Sequence, residues 1–134
     1  MPKFKSVLLV EDDPITVMVC DRIIKMNGFS DEVKSCENGR YALEYLKEKA
    51  TVGTYWPDII FLDINMPVMN GWDFLEELEQ IKDTLPPLPR IFILSSTVDP
   101  EDFSRAKSFS TVEDFISKPL EKDYLDTISA SASK

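Results

Sequence analysis

Three short apolar runs decide most of what this chain can become: Val7-Leu8-Leu9-Val10, Ile59-Ile60-Phe61-Leu62, and Ile91-Phe92-Ile93-Leu94 opened by Arg90. A strand with one wet face alternates polar and apolar residues, so a continuous run reads as a strand covered on both faces. Helical spacing fills the intervals. Pro14 fits the first position of a helix, Ile15, Met18, Val19, Arg22, Ile23 and Met26 recur at helical intervals, and Asn27-Gly28 closes it. Residues 32–36 form a poorer strand, nearer an edge. Tyr41, Ala42, Tyr45 and Leu46 mark a second helix ending near Ala50; residues 72–82, 100–109 and 121–129 supply three more, and residues 112–116 a fifth strand. Five alternations of strand and helix describe an α/β domain, a parallel sheet wound by helices on both faces. The 134 residues suit one such domain, with its core expected at about residues 4–130 and a frayed Ser- and Ala-rich tail beyond.

Each strand stops at a polar residue. The first ends in Asp12-Asp13, the third in Asp63, the fourth in Ser95 and the fifth in Lys118. Open parallel sheets bind ligands beyond the carboxyl ends of their strands, so these side chains converge on one rim. Each has an ordinary explanation on its own: an acid before Pro14 suits a helix cap, Asp63 a turn, Ser95 a loop, Lys118 a solvated surface. Five on one sheet edge argue for a site. Clustered carboxylates repel until a hard divalent cation relieves them, and Mg2+ takes oxygen ligands while keeping several waters. Such a rim suits phosphoryl transfer, which needs positioning and charge neutralisation, with Asp63 on the central strand as nucleophile.

Composition narrows the chemistry. Acidic residues number 24 and basic residues 15, giving a net charge of −9. That argues against nucleic acid or an anionic membrane as partner. There is no histidine, which excludes His-based nucleophile pairs, His-ligated zinc and a phosphohistidine carried by this chain. Cys20 and Cys36 form no CxxC pattern and read as buried thiols of a reducing compartment. No apolar run approaches the ~18 residues of a membrane span, and the N-terminus does not read as a signal peptide. A soluble cytoplasmic protein is expected.

With these segments in hand, the chain resembles the receiver domain of two-component response regulators, of the single-domain chemotaxis-regulator (CheY-like) type. Glu11-Asp12-Asp13 resembles the family's acidic pair, and Phe61-Leu62-Asp63-Ile64-Asn65-Met66-Pro67 with Asn70-Gly71 its phospho-acceptor segment. Leu94-Ser95-Ser96 resembles the switch segment and Phe115-Ile116-Ser117-Lys118-Pro119 the closing aromatic-x-x-Lys-Pro segment. The resemblance implies a flavodoxin-like (βα)5 fold with strand order 2-1-3-4-5. It implies that Asp63 accepts phosphate from a sensor histidine kinase or a histidine phosphotransfer protein. Asp13, Asp63 and the Asn65 backbone carbonyl would bind Mg2+ (or Mn2+) directly, with Asp12 acting mainly through water. Lys118 would pair with the phosphoryl group, Ser95 would move toward it, and Phe115 would turn inward. Asn65 and Thr97 would tune the lifetime of the aspartyl phosphate, and the Lys118–Pro119 bond is expected to be cis.

The expected output is a population shift between inactive and active forms, read out at a surface of the fourth helix, fifth strand and fifth helix. Phe103, Ala106, Lys107, Phe109, Phe115 and Tyr124 are its candidates. Length leaves no room for an attached effector, so output is expected by docking onto another protein or by passing phosphate on, from a monomer or a weak phosphorylation-linked dimer. An alternative is a receiver-shaped interaction module that no longer uses phosphate. A turnover enzyme is not expected: an aspartate-nucleophile phosphatase needs a second acid two residues on, where Asn65 stands.

Overall fold

A computed structural model describes residues 3–53, 56–96 and 99–130. In chain order the elements are β1 (Val7–Val10), α1 (Pro14–Met26), β2 (Val33–Cys36), α2 (Gly39–Val52), β3 (Ile59–Asp63), α3 (Gly71–Ile81), β4 (Arg90–Ser95), α4 (Pro100–Lys107), β5 (Val112–Ser117) and α5 (Lys122–Ala130). All neighbouring strands pair in parallel, in the order β2-β1-β3-β4-β5. This is the flavodoxin-like arrangement expected from the sequence. The three apolar runs form the centre of the sheet. The poorer strands, β2 and β5, lie at its edges, where only one side must be covered.

Alternate residues of each central strand feed two cores. Leu8, Val10, Ile60, Leu62, Ile91 and Ile93 face α2 and α3 and pack with Ala42, Leu46, Phe74, Leu75 and Leu78. Val7, Leu9, Ile59, Phe61, Phe92 and Leu94 face α1 and α5 and pack with Cys20, Ile24, Leu125 and Ile128. Both cysteines are buried and unbridged. The expected tail, residues 131–134, falls outside the described residues. Among the described residues no helix is long and apolar enough to cross a membrane.

Most element bounds fall within one residue of expectation; two helix ends and one face differ by more. α2 runs past Ala50 to Val52 because Gly53, at φ 78°, supplies the left-handed cap. α4 stops at Lys107, two residues short of Phe109. On α1 the helical interval through Ile15, Met18, Val19 and Met26 points outward; these side chains are 68%, 57%, 43% and 75% exposed. Cys20 and Ile24 are buried instead, with Val17 and Ile23 packed beside them. The helix is apolar on nearly every side, so spacing alone offers two stripes and only the sheet selects one.

Candidate functional site

The carboxyl ends of β1, β3, β4 and β5 meet at one rim. Asp63 is the last residue of β3 and is buried, 6% exposed. Its Oδ1 accepts the Ile64 N–H at 2.9 Å and lies 3.5 Å from Lys118 Nζ. Among the described residues Oδ2 receives no hydrogen bond. Gly71 holds this end of β3 tightly: a Cβ there would lie 2.6 Å from the Asp63 carbonyl oxygen, so no side chain fits without displacing the Asp63 backbone. Ser95 ends β4 and is buried, and its carbonyl accepts the Lys118 N–H at 2.8 Å, which ties β4 to the turn after β5. The Lys118–Pro119 peptide is cis.

The acidic part of the rim is shifted by one residue from the expected set. One carboxylate oxygen from each of Glu11, Asp12 and Asp63 lies within 4.8 Å of the others. Asp13 is not among them. It adopts extended backbone angles as the N-cap of α1, and its carboxylate accepts the Ile15 N–H at 3.2 Å and the Thr16 hydroxyl at 2.7 Å. Those hydrogen bonds, the Thr16 one foremost, hold the Asp13 carboxyl below its usual value. Asp13, expected as a direct metal ligand, is thus engaged as the cap of α1 and stands apart from the acidic group. Glu11 takes its place in the cluster. The sequence carried the signal, because a proline at the first helical position makes the residue before it the cap.

Glu11 is the most buried of these acids, 3% exposed. Its Oε1 lies 2.6 Å from Lys118 Nζ, and its Oε2 accepts the Asp13 N–H at 3.2 Å. Burial pushes the Glu11 carboxyl upward and the Asp63 charge adds to this, against the opposing pull of Lys118. Burial pulls the Lys118 ammonium down, but the Glu11 hydrogen bond and the two carboxylate charges outweigh it and leave it above its usual value. One cation thus serves two buried acids. Three carboxylate oxygens this close, with one ammonium between them, are a donor set that fits a hard divalent cation.

The remaining expected residues fall as follows. Asn65 is exposed on the loop after β3. That loop also carries Val68, which is 78% exposed and held at φ 69°, a left-handed conformation costly for a β-branched residue. Thr97 lies outside the described residues. Phe115 is half-buried on β5, its ring 5.7 Å from that of Phe103 on α4. Of the other surface candidates, Lys107 and Phe103 are exposed, Ala106 belongs to the core, and Phe109 and Tyr124 are half-buried against it. The Tyr124 hydroxyl donates to Asp114 beside Phe115.

Fold and rim together define a class. The family model of the response regulator receiver domain matches residues 7–129, and the chain belongs to that family, the receivers of two-component signalling. The two-component response regulator ORR41 of Oryza sativa subsp. japonica is 34% identical over 128 residues, covering 96% of this chain and 94% of that one. Among solved structures, a two-component response regulator from Cytophaga hutchinsonii superposes with a TM-score of 0.86 at 33% identity, covering 97% of each chain. The receiver domain of the histidine kinase CKI1 from Arabidopsis thaliana, complexed with Mg2+ and BeF3−, superposes with a TM-score of 0.79 at 25% identity, covering 97% of this chain and 91% of that one.

Proposed function

We propose that the chain is a phosphorylation-switched receiver. Asp63 accepts a phosphoryl group from the phosphohistidine of a sensor histidine kinase or histidine phosphotransfer protein, and the altered surface engages a downstream protein in the cytoplasm. The observation that carries this reading is the placement of Asp63: buried at the end of the central strand, Oδ1 engaged by Ile64 and Lys118, Oδ2 accepting no hydrogen bond among the described residues. Oδ2 is then the attacking oxygen. An O–P bond forms at Asp63 as the donor's N–P bond breaks, and the imidazole leaves with the donor. These 134 residues hold no histidine, so the phosphohistidine is supplied from outside them.

Glu11, Asp12 and Asp63 would hold Mg2+ or Mn2+, joined by the Asn65 carbonyl. The bound ion supplies charge neutralisation, letting an anionic phosphoryl group approach an anionic rim. Lys118 pairs with the transferred group. Ser95 donates to it, and Phe115 turns inward as Ser95 shifts. Asn65 and Thr97 tune the lifetime of the phosphoryl bond. The donor approaches over α1, whose exposed Ile15, Met18 and Val19 begin two residues beyond Asp13. No turnover of a free substrate is assigned to this rim.

The test is incubation with a small phosphate donor and Mg2+, followed by intact-mass and peptide mapping. One phosphoryl group on Asp63, lost in Asp63→Asn and without Mg2+, is expected. No modification from either a small donor or the cognate kinase would refute the reading.

A further inference from the structure

α4 is weakly seated. Of its eight residues only Ala106 is buried, so aromatic contacts at its two ends decide how it sits. At the N-terminal end Pro100, Glu101 and Phe103 are exposed, and the Phe103 ring meets Phe115 of β5 at 57°. The C-terminal end is different. The Arg105 guanidinium lies 4.7 Å over the ring of Trp72, and Phe109, just past the helix, stacks on Trp72 at 6.0 Å and 16°. Phe109 is tied to the helix by its N–H to the Ala106 carbonyl at 3.2 Å, and to β5 through the Val112 N–H at 3.1 Å.

Trp72 itself is fixed. It is 6% exposed in the first turn of α3. It follows Gly71, whose N–H donates to the Ile64 carbonyl at 2.9 Å and whose Cα packs against the Asp63 backbone with no room for a side chain. The Asn70 cap holds the same turn through the Asp73 N–H at 2.9 Å. A buried indole with a cation on it and a stacked ring is a strong, localised contact. At the other end the tilted Phe103–Phe115 pair, with the Lys107 ammonium 4.7 Å over Phe103, sits on a ring that is 41% exposed, where such contacts are weaker.

We propose that Trp72 is a fixed post on which the C-terminal end of α4 is pinned, so that activation tilts α4 about Arg105 and Phe109 and displaces mainly its Phe103 end. Trp72 is then a positioning residue for the output face. What moves rests on the phosphorylation reading above; what is pinned rests on the unphosphorylated structure alone.

In Trp56→Phe, Trp72 is the sole tryptophan, since the chain has two. Arg105→Gln and Phe109→Leu should each raise acrylamide quenching of Trp72 about twofold, with the thermal midpoint little changed for Arg105→Gln. An unchanged quenching constant in both variants overturns the post. A fluorophore attached at Phe103→Cys then reads the other end; burial pushes the Cys20 and Cys36 thiols up to about 11, so neither competes for the label. Mg2+ with beryllofluoride should alter the label's emission while leaving Trp72 quenching near its resting value. A Trp72 response as large as that of Arg105→Gln overturns the pivot. If the label does not respond and Asp63 takes no phosphoryl group from a small donor with Mg2+, the phosphorylation reading fails, and the post is still decided by the Arg105→Gln arm.

Discussion

At the N-terminal ends of the strands, Arg90 gives its Nε to one Glu113 oxygen at 2.8 Å, its second fork nitrogen to the other, and a third N–H to the Ile128 carbonyl at 3.3 Å. The Asp58 carboxylate beside it accepts the Lys5 and Ser6 N–H groups at 2.8 and 3.3 Å. At the C-terminal ends Lys118 divides itself between Glu11 at 2.6 Å and Asp63 at 3.5 Å, with Asp12 adding a further negative charge. One end is a closed clamp in which each acid has its own donors. The other has more buried acid than cation, and its loop carries the strained Val68. Such imbalance costs stability and persists where function uses it. The contrast teaches that the rim is built to receive charge and the clamp to hold strands together.

The largest expected effect breaks the rim's one compensation. Lys118→Met leaves Glu11 and Asp63 buried without a cation and should cost about 3–5 kcal/mol, as breaking buried pairs does. Urea unfolding measures it. Because the acids remain, Mg2+ should recover part of the loss, whereas a loss indifferent to Mg2+ would remove the rim's claim to special status. At the clamp, Glu113→Ala should cost about 1 kcal/mol, discounted because both partners are partly exposed. It should leave the Mg2+ response and the phosphorylation of Asp63 untouched; a changed response would mean that the two ends are coupled.

Alkaline pH separates the ends without mutation. The Lys118 ammonium is held above its usual value in the folded chain. The folded form therefore binds this proton more tightly than the unfolded form. Its contribution is intact below the ordinary lysine value of 10.5 and is lost as pH rises through the raised folded value. The Glu113 hydrogen bond holds Arg90 upward from an already higher value, so the clamp keeps its charge over the same range. Urea midpoints from about pH 9 to about pH 12 should fall in wild type, and less steeply in Lys118→Met.

The frame of the molecule was readable because continuous apolar runs leave a strand little choice. β1 matches its expected bounds, and β3 and β4 each run one residue further, into Asp63 and Ser95. Asp63 and Ser95 were readable for the same reason, each marking the end of such a run, while Lys118 follows the less apolar β5. Two things were not. On α1 the apolar residues satisfy helical spacing on two faces, and packing against the sheet, which periodicity does not contain, buried Cys20 and Ile24. In Glu11-Asp12-Asp13 three adjacent acids offer two pairings. The choice lies in backbone direction, since Asp13 turns to cap α1 while Glu11 points inward to Lys118. The pin on α4 was also invisible, because Trp72 and Arg105 are brought together only by the sheet order.

The central contrast comes down to whether the rim is destabilised by its own acids. Asp12→Asn removes one charge without disturbing the Glu11–Lys118 bond, so without metal it should be more stable than wild type by about 0.5 kcal/mol. The direct measurement is the thermal midpoint of both proteins across a Mg2+ titration. Wild type should gain up to about 2.7 kcal/mol at a hundredfold excess over its dissociation constant, while Asp12→Asn gains little. Equal shifts in the two proteins, or no shift in wild type, would contradict a charge-receiving rim.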